Sequence, residues 1–515
     1  MRLNIIISIS EKVRHYFPKV TWVILFALIV ACLIFFSVIK QVGKYKSGPA
    51  GWVRIGCDDN NSNFYSNFLF PPAKSQSRLA SKKSNFFQSQ KQYFNLIWAA
   101  EEFSPIPFRL VGGMQKLYYN LRTCDLNSDG KLEIIIGYQN QTLVLNSAGI
   151  FQYALPACFD VYQDAFKKIY TVSCSSNTIR YSSGRKEIRK LRTLNPIVSI
   201  RIARLKNRTE SKIMLLTVEK LVNEKKAELF QISCYGTETG QQLWLYQFEL
   251  LPFISAIGDI NQDGRNEIIC TTYSPDRAFG EVIALSSSGK LIWRVTFDYQ
   301  YNPMFVNYKV AAYTEAAIAD LDGDNKQEVV AIFGTEDGSA GRIKIIEGKT
   351  GKVIDQYPKN RFLRRAFTSL GVADLNHDGK SDIVTATRGI TGRFYSFQMG
   401  TTGLETLATR RYFPPFVREP SFVSTWVWAL ADIDEDNEIE ILGSVGYELP
   451  LFTDWTIRTT QFLEPGLVVF DARLRERTYI DLDEHCLALI VSDLIKGGAN
   501  EILILANQLS LYALR

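Results

Sequence analysis

An acidic pattern of thirteen residues recurs along the chain, and its spacing limits the folds open to it. DLNSDGKLEIIIG begins at Asp125, DINQDGRNEIICT at Asp259, DLDGDNKQEVVAI at Asp320, DLNHDGKSDIVTA at Asp374 and DIDEDNEIEILGS at Asp432. A sixth copy, DLIKGGANEILIL, begins at Asp493 but has Ile495 and Gly497 where the others have acids or amides. The first two copies start 134 residues apart, about double the spacing of the others. Within that gap ARLKNRTESKIMLLT keeps the hydrophobic frame, with Arg204 in place of the leading acid. The chain thus reads as seven units, starting at 125, 204, 259, 320, 374, 432 and 493, on average about 61 residues apart.

Each acidic loop is followed by a short apolar run such as EIIIG or EVVAI. A hairpin-like segment comes next, as in EVIALSSSGKLIWRVTF and RIKIIEGKTGKVIDQY. With a strand before the loop, every unit supplies four strands, and four-stranded units repeated radially are propeller blades. The last unit ends after its third strand. FNLIWAAEEFSPIP, from Phe94, reads like the outer strand KLIWRVTF and can complete that unit and close a ring. The expectation is an all-β chain: a seven-bladed β-propeller over residues 94–515, closed by a strand near 94–103. An aromatic content of 12%, with 24 Tyr and 32 Phe, suits β structure.

Asp, Asn and Asp on alternate positions aim hard oxygen ligands into one loop, which is calcium chemistry. Glycine at the sixth position permits the left-handed turn, and Asn325 and Asn437 replace it in two copies. The acid at the ninth position joins the loop to the next strand. The candidate ligands are Asp125, Asn127, Asp129 and Glu133; Asp259, Asn261, Asp263 and Glu267; Asp320, Asp322, Asp324 and Glu328; Asp374, Asn376, Asp378 and Asp382; Asp432, Asp434, Asp436 and Glu440. About five Ca2+ sites are expected, with the units at Arg204 and Asp493 empty. These units resemble FG-GAP/VCBS repeats, the calcium-loop blades of the integrin α-chain head. The resemblance covers roughly residues 94–515 and implies a seven-bladed ring that binds calcium.

Val20–Ile39, VTWVILFALIVACLIFFSVI, carries no charge over 20 residues, enough for one helical bilayer crossing. The expected order is a short cytoplasmic segment (1–19), a transmembrane anchor (20–39), a mostly irregular stalk (40–93) and the propeller. The alternatives are a lipoprotein, with IVAC as lipobox and Cys32 lipidated, and a cleaved signal peptide. Weak calcium loops fill outside the cytoplasm, so a single-pass membrane protein with an extracytoplasmic (periplasmic or extracellular) propeller is expected. Only three histidines and no CxxC pair argue against His-based catalysis, zinc ribbons and thioredoxin-type sites. Cys158 and Cys174 either bridge neighbouring strands or are buried thiols. A net charge of +6 is small for 515 residues, and no nucleic-acid partner is expected.

Strand alternation puts the acidic loops on one face and the strand 2–3 and unit-to-unit links on the other. Segments 298–313, 357–367, 387–394, 409–422 and 446–465 read as long loops of that second face. Their Arg361, Arg364, Arg365, Arg388, Arg393, Arg410, Arg411, Tyr412 and Trp455 are the candidate surface for a protein or glycan partner. The leading function is a membrane-anchored, partner-binding adhesion or scaffold module. The alternatives are a polysaccharide lyase or hydrolase using Glu419, Glu448 or Asp454, and an accessory subunit of envelope assembly or secretion.

Overall fold

A computed structural model describes residues 51–56, 63–68, 96–100 and 120–514, apart from 128, 139–140, 157–158, 164–168, 184–185, 206–212, 222–228, 301–309, 414–421, 435, 454–455, 483–485, 495–499 and 507–510. The described chain is all-β. Its strands form four four-stranded antiparallel sheets, two eight-stranded ones and a separate two-stranded hairpin. Each eight-stranded sheet is two four-stranded sets joined by a short pairing, Tyr273 with Tyr313 in one and Arg388 with Ser424 in the other. Eight four-stranded sets result among the described residues, spanning 120–156, 159–192, 197–248, 251–298, 312–357, 366–412, 422–481 and 486–514. They are numbered here one to eight. This is the arrangement of propeller blades.

The seven units of the sequence frame correspond to seven of these sets. The additional one is the second, built from Phe159–Gln163, Ile169–Ser175, Thr178–Ser183 and Lys186–Arg192. It lies inside the 134-residue gap and was invisible to the repeat because its first two strands are not joined by an acidic loop.

Leu96–Ala100 pairs antiparallel with Leu511–Leu514, so the eighth set takes its outer strand from the segment that precedes the first set. Its register carries the same mark as the other outer strands: one unpaired residue in the first half of the strand. That bulged residue is Gln152, Ile188, Leu243, Ile292, Ile354, Leu407 or Arg477 in the other sets, and Ile97 here.

First strands are buried on both faces, as in Ala312–Ala319 and Ala366–Ala373, whereas outer strands such as Leu291–Asp298 alternate. Neighbouring sets are bonded in succession. Asp160 of the second set takes Arg122 of the first as its ion-pair partner and accepts the Ile202 N–H of the third at 2.7 Å. Asn266 Nδ2 donates to Arg204 O (2.8 Å), the Thr272 N–H to Thr314 Oγ1 (2.9 Å), Tyr313 OH to Phe367 O (2.6 Å) and the Val427 N–H to Ser369 Oγ (2.8 Å). Asn500 Nδ2 donates to Asp432 O (2.9 Å), and Thr123 Oγ1 meets Ser492 Oγ at 2.8 Å, joining the eighth set to the first.

A second device repeats on the outer strands. Trp244 Nε1 donates to Ser287 O (3.0 Å), and Trp293 Nε1 to Gly348 O (2.7 Å), each reaching the hairpin turn of the next set. Gly351, at φ 75°, lies under the Trp293 ring, where a Cβ would come within 2.5 Å of ring carbon Cγ. Gly351→Ala therefore meets a left-handed backbone and an overpacked interface together. It is expected to cost about 2–4 kcal/mol, read as a lowered thermal midpoint.

Within residues 40–93 the described strands Gly51–Gly56 and Asn63–Phe68 pair with each other. One reading of an irregular segment is corrected. Segment 446–465 is largely not a loop. Glu440–Thr453 and Thr456–Phe470 run through it as one long hairpin, because its alternating Thr, Ile, Phe and Leu favour strand pairing. Among the described residues no helix is long and apolar enough to cross a membrane; Val20–Ile39 lies outside them.

Candidate metal centres

The five acidic loops share a fold set by their own side chains. The first-position carboxylate accepts the sixth-position N–H in each: Gly130 to Asp125 (2.8 Å), Gly264 to Asp259 (2.8 Å), Asn325 to Asp320 (2.8 Å), Gly379 to Asp374 (2.9 Å) and Asn437 to Asp432 (2.9 Å). The fifth-position carboxylate accepts the seventh-position N–H, as Arg265 to Asp263 and Lys380 to Asp378. Gly130, Gly264, Asn325, Gly379 and Asn437 have φ between 64° and 84°, the left-handed turn expected at the sixth position. The fourth position also turns left-handed wherever it is described, at Gln262, Gly323 and His377. Its varied side chains carried no sequence signal for this.

The ninth-position acid is a buried clamp. Its carboxylate accepts the second-position N–H from Leu126 (2.7 Å), Ile260 (3.1 Å), Leu321 (3.0 Å), Leu375 (3.1 Å) and Ile433 (3.0 Å). Glu501 does the same for Leu494 at 2.7 Å, although the loop at Asp493 lacks the middle ligands. The clamp therefore belongs to the fold, separately from any ion. Burial, together with the nearby aspartates, pushes Glu267 and Glu328 up to about 7 and Asp382 to about 6. Burial likewise raises Glu133 and Glu440.

Asp320, Asp322 and Glu328 each offer a carboxylate oxygen within 4.8 Å of the others, as do Asp432, Asp434 and Glu440. These two clusters can hold a metal ion. Among the described residues no other trio of acids comes as close. In the loops at Asp125, Asp259 and Asp374 the third position is an amide: Asn127, Asn261 and Asn376 accept the fifth-position N–H at 2.8, 2.8 and 3.0 Å. Asp324 forms an ion pair with Lys326. Neighbouring loops touch: Gln262 Nε2 donates to Asn325 O (2.7 Å) and the Ser381 N–H to Asp320 O (2.9 Å).

Glu328→Gln separates clamp from ligand. It keeps the oxygen that accepts from Leu321 and removes a charge that burial and three aspartates disfavour. In chelator its thermal midpoint is expected to equal or exceed that of the wild type, and in calcium to fall below it. A loss in chelator would mean that the charge itself serves the clamp. Glu328→Ala strands the Leu321 N–H and should cost about 1–3 kcal/mol in either buffer.

The arginines read as a partner surface divide. Arg365 donates to Thr391 O (3.0 Å) and Thr391 Oγ1 (2.8 Å), and Arg388 to Glu336 O. Arg410 pairs with Glu476 at 3.1 Å, and Tyr412 OH donates to the same carboxylate at 2.7 Å. These four tie adjacent segments together. Arg410, Arg411 and Tyr412 lie in the strand Gly403–Tyr412, not in a loop. Arg388 is the next-to-last residue of the strand Asp382–Gly389, and Arg393 sits in the next, Gly392–Gly400, across a tight turn. Arg361, Arg364 and Arg411 are exposed, and Arg393 stands opposite Arg411 in the strand register. Trp455, Glu419 and Asp454 lie outside the described residues, as does the Glu448 side chain. Cys174 is buried, and Cys158 lies outside the described residues.

No known protein family matches the chain, and no curated protein does. Solved structures of similar fold include BBS1N in complex with ARL6DN, soaked with mercury in one case and with lead in another. Identity is 10% in both, with TM-scores of 0.39 and 0.36. Each match covers 76% of this chain, and 91% and 90% of the respective BBS1N chain.

Proposed function

We propose that this chain is a calcium-stabilised β-propeller of the FG-GAP/VCBS type, closed as a ring of eight blades. It would be anchored by Val20–Ile39 and displayed outside the cytoplasm as a partner-binding module. The observation that carries the reading is the acidic loop itself, built five times with the same hydrogen bonds and the same buried clamp. Among those left open to an ion, the loop at Asp320 gathers three carboxylates, of Asp320, Asp322 and Glu328, within 4.8 Å. A bound calcium ion would neutralise carboxylates that otherwise repel one another. The first-, third-, fifth- and ninth-position residues would hold it, and the N–H groups of the loop would keep those oxygens in place. The Thr123–Ser492 contact and the outer strand Leu96–Ala100 support ring closure.

The test is a calorimetric calcium titration of the purified full-length protein in detergent. Saturable binding of several ions in the micromolar to millimolar range is expected. Absence of binding at millimolar calcium would leave the loops as structural turns and remove the argument for an extracytoplasmic location. For the face away from the loops, Arg361, Arg364, Arg393 and Arg411 are the residues left for an acidic protein or glycan.

A further inference from the structure

The fifth acidic loop differs from the others in what stands against it. Arg477 Nη1 lies 2.6 Å from Glu440 Oε1 and 3.4 Å from Asp434 Oδ2, and Nη2 lies 3.9 Å from Asp436 Oδ2. One guanidinium therefore meets the third, fifth and ninth positions of the loop at once. Glu440 is fully buried beneath it.

The strand register explains how the arginine gets there. Arg477 is the bulged residue at the start of its outer strand, released from pairing beside the end of the third strand. In the other four sets with a complete acidic loop, the same place holds Gln152, Ile292, Ile354 and Leu407. None of those can supply charge. The fifth loop also differs at its first position. Asp125, Asp259 and Asp374 each accept the fifth-position N–H on Oδ1 at 3.1 Å and Asp320 accepts the Gly323 N–H on Oδ1 at 2.7 Å, whereas Asp432 Oδ1 is buried with no hydrogen-bond partner.

We propose that Arg477 is the resident cation of the fifth loop. An arginine stays charged at any physiological pH, and its planar fork spans several carboxylates. It neutralises this loop without metal, and a divalent ion would have to displace it. Calcium would then occupy the other four loops. The assignment rests on the calcium reading of those four.

The experiment compares the full-length wild type with Arg477→Gln and Arg477→Lys, all purified in calcium so that a destabilised variant still folds. Calcium stoichiometry is measured by titration after chelation, and the thermal midpoint in chelator and in calcium. Arg477→Gln is expected to bind one more ion than the wild type. Its midpoint should fall in chelator and recover in calcium, and Arg477→Lys should stay close to the wild type. Equal stoichiometry and equal midpoints for all three would overturn the role of Arg477 alone. Calcium bound by none of them would overturn the calcium reading on which the assignment rests.

Discussion

Chelating divalent cations from the full-length protein is expected to lower its thermal midpoint by far more than any single surface substitution. Each site filled at 100 times its dissociation constant adds about 2.7 kcal/mol to the folded state, so four sites are worth on the order of 10 kcal/mol. The gain should depend on pH in a direction that the clamps set. Glu267 and Glu328 sit at about 7 in the folded chain, above their ordinary 4.5, because burial and nearby aspartates disfavour the charge. A raised carboxyl contributes stability that is full below about pH 4.5 and lost as pH rises through 7. The metal-free protein should therefore be most stable in mild acid and weaken toward pH 8. Calcium favours the ionised carboxylates, so its stabilising effect should grow over the same interval. Midpoints measured from pH 5 to 8, with calcium and with chelator, check both slopes. A calcium effect that is flat or that shrinks with rising pH would mean the buried clamps take no part in binding.

Trp428→Ala is expected to be the most damaging single substitution among those considered, at about 3–5 kcal/mol. Trp428 is 1% exposed, on the first strand of the seventh set. Its Nε1 donates to Ser444 Oγ at 2.7 Å, and its ring stacks on Trp426 with centroids 6.5 Å apart. Truncation leaves a large void and an unpaired hydroxyl in the cluster that also holds Phe394 and Phe470. Trp428→Phe keeps most of the volume and should recover the larger part of the loss. A loss below about 1 kcal/mol for Trp428→Ala, in denaturant unfolding, would mean that the site collapses around the deletion. In a ring of repeated sets such unfolding need not be two-state, so coincidence of two probes belongs in the measurement.

Where the chemistry repeats, the sequence was legible. Alternating acids, a sixth-position Gly or Asn and a ninth-position acid located five loops, and each folds with the same left-handed sixth residue and the same buried clamp. The outer strand near residue 94 was readable as well, because LIW repeats the pattern of an outer strand. The second set escaped for the opposite reason. Phe159–Arg192 carries the strands without the acidic loop, and strands of five to seven residues give no repeat signal by themselves. The loop assignments of the opposite face were only partly right. Arg393 and Arg411 sit in strands, and 446–465 is mostly a hairpin, since partner strands were needed to show that these runs pair.

By itself the sequence determined the β periodicity, the acidic loops and the apolar segment at Val20–Ile39, because each is written in residue type at short spacing. Only the tertiary structure decided which sets are neighbours and which charges meet. Thr123 and Ser492 are 369 residues apart, and Arg477 is 43 from Asp434. Contacts at such separations depend on register and on single bulged residues. A one-residue shift in an outer strand would carry Arg477 away from its carboxylates, and nothing local to either segment encodes that register.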